Sequence, residues 1–495
     1  MLGIANAQTI KIIEKDPQQA GLQTPAAAGF SDQLWAGSDR QSLGDALEGV
    51  DRPIRYKEAF ATIRDMVSSA APLPAGEGLS PTILTRRIQA LGRLGAHPET
   101  LALIERTPAS AQGIGVWQAA ANIGLIRNDL IGACELSSRY GSGEETPFWL
   151  KLRGFCEQLR GNGDAAIDAA IAATDAENPP DETYAALFLA LSSRDLTGVD
   201  SVVPERPIHL AILRALSQAP PSGFDYGSVP ADVASGFVGY ASLGPLARMK
   251  AAERAAAANV LGAGTLLQLY LQSPFQTETG SAYLAAVKAK NALQRVDALA
   301  DLWRKAAGQG LFAQLAPFSA KLVRQTDLIA GQPAFLLSAL RTGLVAGNTK
   351  LAEQAIDALA AAALVPNGTE AQDISYALRA LAGKPVPPAE DWWPRWVDAT
   401  GADNQQQQLV GGMLGAFGQS FSLMPSPKIR KNKATRAILA VENAPGEAAL
   451  RALNALAGAK ANDVAAQVLA VRLSARVSQA RARLLAVELA IAAGL

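Results

Sequence analysis

Apolar residues recur along most of this chain at the spacing of one face of an α-helix. From about residue 81 onward they follow i, i+3, i+4 and i+7, as in Ile83, Leu84, Ile88 and Leu91. Short turns of Gly, Asn, Asp or Pro interrupt the pattern. Alanine dominates the apolar residues, and it favours helices that pack closely on one another over strands. The chain is therefore predicted to be all-α.

The turns in the first part of this pattern recur at a fixed spacing. Their anchor positions are 95, 128, 161 and 194, so that each lies 33 residues after the one before. Asp129 and Asp164 follow two of these turns, where an N-cap accepts free backbone N–H groups of the next helix. A period of this length with two helices per unit predicts an α-solenoid of antiparallel helix hairpins.

One unit, Trp149 to Pro180, resembles a tetratricopeptide (TPR) repeat. The residues at its characteristic positions are Trp149 and Leu152 in the first helix, Ala165 and Ala172 in the second, and Pro179-Pro180 at the end. The unit departs from the pattern at Arg153 and Cys156, which occupy the glycine and tyrosine positions. The resemblance is best over residues 81–200. It implies a TPR-like superhelix that binds other proteins along a concave groove.

The first residues carry a hint of export. Ala5-Asn6-Ala7 before Gln8 has the small-x-small form of a signal-peptidase site, which marks residues 1–7 as a signal-peptide remnant. A positive segment and a longer apolar core are missing, so that an ordinary N-terminus remains the alternative.

The rest of the chain divides into five predicted parts. Short helices are expected at Asp39–Leu47 and Tyr56–Val67, within a partly extended N-terminal arm. The parts are this arm over 8–80, TPR-like repeats over 81–217, further helical hairpins over 230–385, a Trp cluster and basic linker over 386–436, and C-terminal helices over 437–495.

The chain has two cysteines, Cys134 and Cys156. They fall in the second helix of one predicted unit and the first helix of the next, each 11 residues from Glu145 in the loop between. An antiparallel hairpin brings them to the same depth, which predicts a disulfide, with two buried free thiols as the alternative. A disulfide favours a periplasmic or otherwise exported protein over a cytoplasmic one.

Motifs that carry chemistry are scarce. Lys plus Arg equals Asp plus Glu at 45 each, which argues against nucleic-acid binding through a general positive field. His97 and His209 lack metal-ligand spacing and are expected at the surface or in helix caps. Phosphate-loop and nucleophile-elbow motifs are absent, and no apolar run reaches the roughly 20 residues of a membrane span. We therefore predict no catalytic residue, metal, cofactor or transmembrane span.

Two clusters of side chains are the candidates for partner binding: Trp392, Trp393, Trp396, Lys428, Arg430, Lys431, Lys433 and Arg436. The tryptophans can form a binding hot spot or a core plug. The basic residues can contact an acidic partner or an anionic envelope surface, or form a solvated loop.

The function predicted from the sequence is a non-catalytic protein-binding scaffold of the bacterial cell envelope. The alternative is a cell-wall enzyme, or a cell-wall-binding accessory, with a helical superhelix like that of lytic transglycosylases.

Overall fold

The structure is a computed structural model and describes residues 16–76, 78–197, 199, 202–218, 224–364, 368–400, 405–419, 433–460 and 463–495. Over these residues it is 69% helix and has no strand, which confirms the all-α prediction. The predicted signal-peptide remnant lies outside the described residues.

The described residues form 26 helices, which are numbered in chain order. The first thirteen are α1 Arg40–Glu48, α2 Lys57–Ser68, α3 Ile83–Leu94, α4 His97–Arg106, α5 Ile114–Arg127, α6 Leu130–Tyr140, α7 Pro147–Arg160, α8 Gly163–Asp175, α9 Glu182–Ser193, α10 Pro207–Ala215, α11 Ala231–Phe237, α12 Pro245–Ala257 and α13 Ala263–Gln272. The others are α14 Glu278–Lys288, α15 Ala292–Gly308, α16 Phe312–Ser319, α17 Gln325–Ala330, α18 Pro333–Val345, α19 Thr349–Ala361, α20 Gly368–Leu381, α21 Ala389–Thr400, α22 Gln405–Ala416, α23 Lys433–Ala440, α24 Pro445–Gly458, α25 Val464–Ala475 and α26 Gln479–Ala492.

Left-handed residues end four helices at the predicted 33-residue spacing. They are Gly95 (φ 86°), Asn128 (φ 65°), Gly161 (φ 83°) and Arg194 (φ 57°), the C-caps of α3, α5, α7 and α9. After such a cap the chain reverses, because the following N–H groups bond back to the last free carbonyls of the helix. Helices α3, α5 and α7 then pack on α4, α6 and α8, and α9 packs on α10.

The N-caps of the second helices follow the prediction in part. Asp129 caps α6 and accepts the Gly132 N–H at 3.0 Å, as expected. The N-cap of α8 is Asn162, whereas Asp164 lies inside the first turn of that helix. There its carboxylate still complements the helix dipole.

A disulfide between Cys134 and Cys156 joins α6 to α7, with a Cα–Cα distance of 5.6 Å. The two sulfur atoms lie at bonding distance, as the equal depth of the two positions predicts. Cys156 is buried with Trp149 and Phe155 in a hydrophobic cluster shared by α5 to α10.

The later part of the chain is also helical. Residues 278–319 form three helices, α14, α15 and α16, because Asn291 starts α15 by capping the Gln294 N–H at 2.9 Å. Residues 386–436, predicted as a Trp cluster and basic linker, contain α21, α22 and the start of α23. Helices α18 and α19 pack on each other as a hairpin within the predicted hairpin region 230–385.

The N-terminal segment lies between the first repeat helices and the C-terminal helices. Helices α1 and α2 form where short helices were predicted, and they pack on α3 and also on α24, with α2 reaching α26. Leu43 and Ile63 from this segment share one hydrophobic core with Leu453 and Leu489. The segment therefore packs between α3 and the C-terminal helices α24 and α26, inside a shared core, and is not a separate arm.

Candidate functional site

A cleft of about 260 Å³ lies between α3, α5 and the first turns of α4, α10 and α11. Residues three or four apart share one face of a helix, so α3 and α5 each present one row of residues to the cleft. The lining residues are Gln89, Gly92 and Arg93 from α3, Gln118, Ala119, Asn122, Ile123 and Ile126 from α5, and His97, Pro207 and Asp232 from the other helices. We call this the polar cleft.

Three carboxamides in the polar cleft have no hydrogen-bond partner among the described residues. The side chains of Gln89, Gln118 and Asn122 make no hydrogen bond to any residue that the structure describes, and all three are partly exposed. Each carboxamide offers one acceptor oxygen and two N–H donors. The cleft therefore presents several donors and acceptors that a ligand can use.

His97 adds a buried imidazole to the same cleft. Its side chain is 6% exposed and makes no hydrogen bond to a described residue. Burial, together with the positive charge of Arg127, lowers the pKa of His97 to about 4. The ring is thus neutral at pH 7, with one N–H donor and one acceptor nitrogen.

The two charged residues of the polar cleft differ in role. Arg93 donates to the carbonyls of Val50 at 2.8 Å and Leu47 at 3.2 Å, and so ties α3 to the C-terminal end of α1. Burial raises the pKa of the Asp232 carboxyl above its ordinary value. Since Arg93 already donates to carbonyls around the end of α1, most of the side chains that face the cleft without a partner among the described residues are uncharged.

His209 belongs to a buried ion network elsewhere in the repeats. Atom Oδ2 of Asp181 lies 2.7 Å from the Lys151 ammonium, 3.1 Å from Arg206 and 2.9 Å from the His209 ring. Glu177 completes the network through ion pairs to Lys151 and Arg206. These residues link α7, α9 and α10, so that the network is structural. Both histidines are buried, which corrects their predicted place at the surface or in caps.

The predicted tryptophan cluster lies in the core. Trp392, Trp393 and Trp396 are 0%, 1% and 1% exposed, and their rings pack on one another and on Tyr376. Apolar burial of these three rings stabilises the packing of α21 on α20. The indoles have no free surface for a partner, so the cluster is placed as a core plug.

The predicted basic cluster falls almost wholly outside the described residues. Lys428, Arg430 and Lys431 lie there, and the side chain of Lys433 is not described either. Arg436 is exposed on α23. The structure thus leaves the basic stretch as a prediction.

A wider cleft of about 770 Å³ lies between α12, the turn before α14 and the end of α15. Glu253 in its wall accepts hydrogen bonds from the Tyr270 hydroxyl at 2.6 Å and the Thr277 hydroxyl at 2.5 Å. Burial raises the pKa of Glu253 above its ordinary value. Lys250 and Arg254 line the same cleft.

The described part of the chain contains neither a cluster of metal ligands nor a helix that could span a membrane. No group of three or more His, Cys, Asp or Glu side chains there is arranged to hold a metal ion. None of its helices has the length and apolar character needed to cross a membrane.

Sequence reasoning missed the polar cleft. Its residues are ordinary Gln, Asn and His, which are common on solvated helix faces. The available signal was the 33-residue spacing, because Gln89 and Asn122, and likewise Arg93 and Ile126, are 33 residues apart and all four line the cleft. Comparison with protein-family models, curated proteins and solved structures found no match to this chain.

Proposed function

We propose that this protein is a non-catalytic scaffold that holds an extended segment of a partner protein in the polar cleft. The observation that supports it is the set of three carboxamides and one imidazole that face the cleft without a partner among the described residues. Because no described residue uses these donors and acceptors, a ligand that enters the cleft can bond to them without breaking a contact within the described part of the protein.

The chemistry of these groups suits a peptide backbone. An extended chain presents N–H and C=O groups in alternation, and each must be satisfied when it leaves water. A carboxamide can accept from an N–H and donate to a C=O at once, so Gln118 and Asn122 can hold a backbone whatever its side chains are. Ile123 and Ile126 in the same wall offer an apolar contact for one side chain of the segment.

The repeat architecture supports the same proposal. Left-handed caps at a 33-residue spacing and paired helices agree with a TPR-like α-solenoid, in which first helices line the concave side. We propose that the polar cleft is part of that concave side. The disulfide is compatible with the periplasm, an oxidising compartment, as the place where the scaffold works.

A displayed library of random peptides tests the proposal. Peptides enriched on the wild-type protein should bind the double variant Gln118→Ala/Asn122→Ala about thirtyfold more weakly, since one hydrogen bond is lost at each position and each is worth about 1 kcal/mol. The matched control is Gln272→Ala/Gln325→Ala, which removes two exposed carboxamides outside the cleft. Peptides that bind all three proteins equally well, or no enrichment at all, would contradict the proposal.

The enzyme alternative has one observation in its favour, the carboxyl of Glu253 in the wider cleft. A carboxyl with a raised pKa beside a tyrosine hydroxyl is a candidate general acid. Release of soluble fragments from purified peptidoglycan by the wild-type protein, abolished in Glu253→Gln, would favour this function. Equal, background-level release by both proteins would exclude it.

A further inference from the structure

A second groove, of about 500 Å³, lies among α18, α19, the C-terminal end of α20 and α26. Small residues form much of its lining: Gly343, Gly347, Ala352, Ala382 and Ala480. A Cβ atom at Gly343 would come within 2.8 Å of the Ala352 backbone nitrogen, so glycine allows α18 and α19 to pack closely there. We call this the apolar groove.

Larger apolar side chains complete the apolar groove. Leu344, Ile356 and Val487 line it together with Leu484, which is 47% exposed. A leucine left this exposed beside an open groove gains burial when an apolar ligand enters. Burial of each methylene of such a ligand favours binding.

Three cations and one carboxylate lie at the edge of the apolar groove. Arg379, Lys384 and Arg483 carry the positive charges, and Glu353 carries the negative one. The local balance is therefore 3 − 1 = +2. The apolar groove has a distinct positive side although the whole chain has equal numbers of basic and acidic residues.

Backbone carbonyls hold Arg379 and Arg483 in place, and Arg483 also packs on an aromatic ring, whereas the Lys384 side chain makes no such contact with a described residue. Arg483 donates to the carbonyls of Ala380 and Leu381 at 3.3 Å and lies over the Phe417 ring, 4.3 Å from its centroid. Arg379 donates to the Pro385 carbonyl. Lys384 is exposed, and its ammonium makes no hydrogen bond or ion pair to any described residue. Its charge is available to a ligand.

We propose that the apolar groove binds a single-chain anionic amphiphile. The acyl chain lies along Leu344, Ile356 and Leu484, and the carboxylate or phosphate head group meets Lys384 beside the two arginines. The positive edge beside the apolar lining matches a ligand that has one acyl chain and one anionic head group.

Isothermal titration of the full chain tests this proposal independently of the polar cleft. The probes are laurate and lauroyl lysophosphatidate, each below its critical micelle concentration, and the uncharged 1-dodecanol below its solubility limit. We expect one molecule of laurate or lysophosphatidate to bind per chain, and dodecanol to bind more weakly. Tighter binding of laurate identifies the head group as a carboxylate, and tighter binding of lysophosphatidate identifies it as a phosphate.

Two variants separate the acyl chain from the head group. Position 480 is exposed, and Ala480→Trp places a large ring in the apolar groove. The variant should bind all three probes at least about tenfold more weakly, a loss of about 1.4 kcal/mol. Its control is Ala165→Trp, at an exposed position on α8. Lys384→Glu should bind laurate about tenfold more weakly and bind dodecanol with unchanged affinity. Its control is Lys290→Glu, which lies outside the groove.

Three results would overturn the proposal. One is the absence of saturable binding of both laurate and lysophosphatidate. Another is wild-type affinity in Ala480→Trp, which would place the ligand elsewhere. The third is an equal loss of laurate and dodecanol binding in Lys384→Glu, which would show that charge plays no part.

Discussion

The carboxylate of Glu488 accepts the backbone N–H of Lys57 at 2.6 Å, across 431 residues of chain. Its other oxygen accepts the N–H of Glu58 at 2.8 Å. The N-cap residue of α2 is Tyr56, whose side chain makes no capping bond. A side chain of the C-terminal helix α26 therefore satisfies the first turn of α2, which needs acceptors for its free N–H groups. This contact helps to hold α2 against α26.

Glu488 should make stability depend on pH. Burial raises its pKa from the ordinary 4.5 to about 7, so that between these pH values the folded protein binds a proton that the unfolded chain has lost. The contribution of Glu488 to stability should therefore fall as pH rises through this window. The free energy of unfolding of the wild type, relative to Glu488→Gln, should decrease by about 3 kcal/mol between pH 4 and pH 8.

Urea unfolding of both proteins at the two pH values measures this difference. Comparison with the glutamine variant cancels the titration of all other groups. A difference that stays constant with pH would show that Glu488 is ionised in the folded protein throughout the window.

Arg87 should hold residues 18–20 against the C-terminal end of α2. It is buried, pairs with no carboxylate among the described residues, and donates to four carbonyl groups, those of Gln18, Ala20, Val67 and Ser69. Arg87→Lys keeps the charge, but its ammonium lacks the planar fork that reaches several acceptors. We expect a loss of about 3 kcal/mol, because buried carbonyls are left without donors.

Limited proteolysis should then cut the Arg87→Lys variant near residues 16–24 before the wild type is cut. The control is Arg304→Lys, in which the arginine is exposed on α15. Unchanged stability together with wild-type resistance to protease would refute this role of Arg87.

Asp181 should stabilise the repeats through the ion network. Burial by itself raises its pKa, but hydrogen bonds from His209 and Lys151 outweigh burial and hold the pKa well below its usual range. Asp181→Asn removes one of the two carboxylates that pair with the buried Lys151 and leaves Glu177 as the other, which should cost about 2 kcal/mol at pH 7. Since the folded pKa is depressed, this contribution is present above the ordinary pKa of 3.8 and is lost as pH falls further.

Thermal and urea unfolding at pH 7 and pH 3 test the role of Asp181, with Asp168→Asn at an exposed position of α8 as the control. We expect a smaller difference between wild type and Asp181→Asn at pH 3. Equal stability of wild type and variant at pH 7 would show that the network contributes nothing.

The disulfide between Cys134 and Cys156 should be present in protein taken from an oxidising compartment. The cysteines are 22 residues apart, and closing such a loop contributes about 3 kcal/mol in the chain-entropy model. Alkylation without reductant followed by mass spectrometry should label neither cysteine. Two labelled thiols in that protein would argue against both the bond and export.

Local sequence signals predicted much of the fold. Gly95, Asn128 and Gly161 marked helix ends because left-handed caps favour Gly and Asn, and the cysteine pair followed from hairpin symmetry. Long-range contacts gave no such signal. Nothing near Lys57 in the sequence indicates Glu488, so the segment that joins the two ends was interpreted as an arm.

The candidate site could not be predicted because it depends on which helix faces meet. The tryptophans at 392, 393 and 396 suit a hot spot or a core equally well, and only packing decides. Gln118 and Asn122 look like solvated polar residues until α3, α10 and α11 surround them.

Site-specific photo-crosslinking in cells that express this protein tests the central claim most directly. A photoreactive phenylalanine analogue replaces Asn122 in the polar cleft or, as the control, Arg304 on the exposed face of α15. The scaffold account predicts a light-dependent adduct from position 122, mapped by mass spectrometry to one contiguous segment of a partner protein, and none from position 304. No adduct from position 122, or the same adducts from both positions, would contradict it.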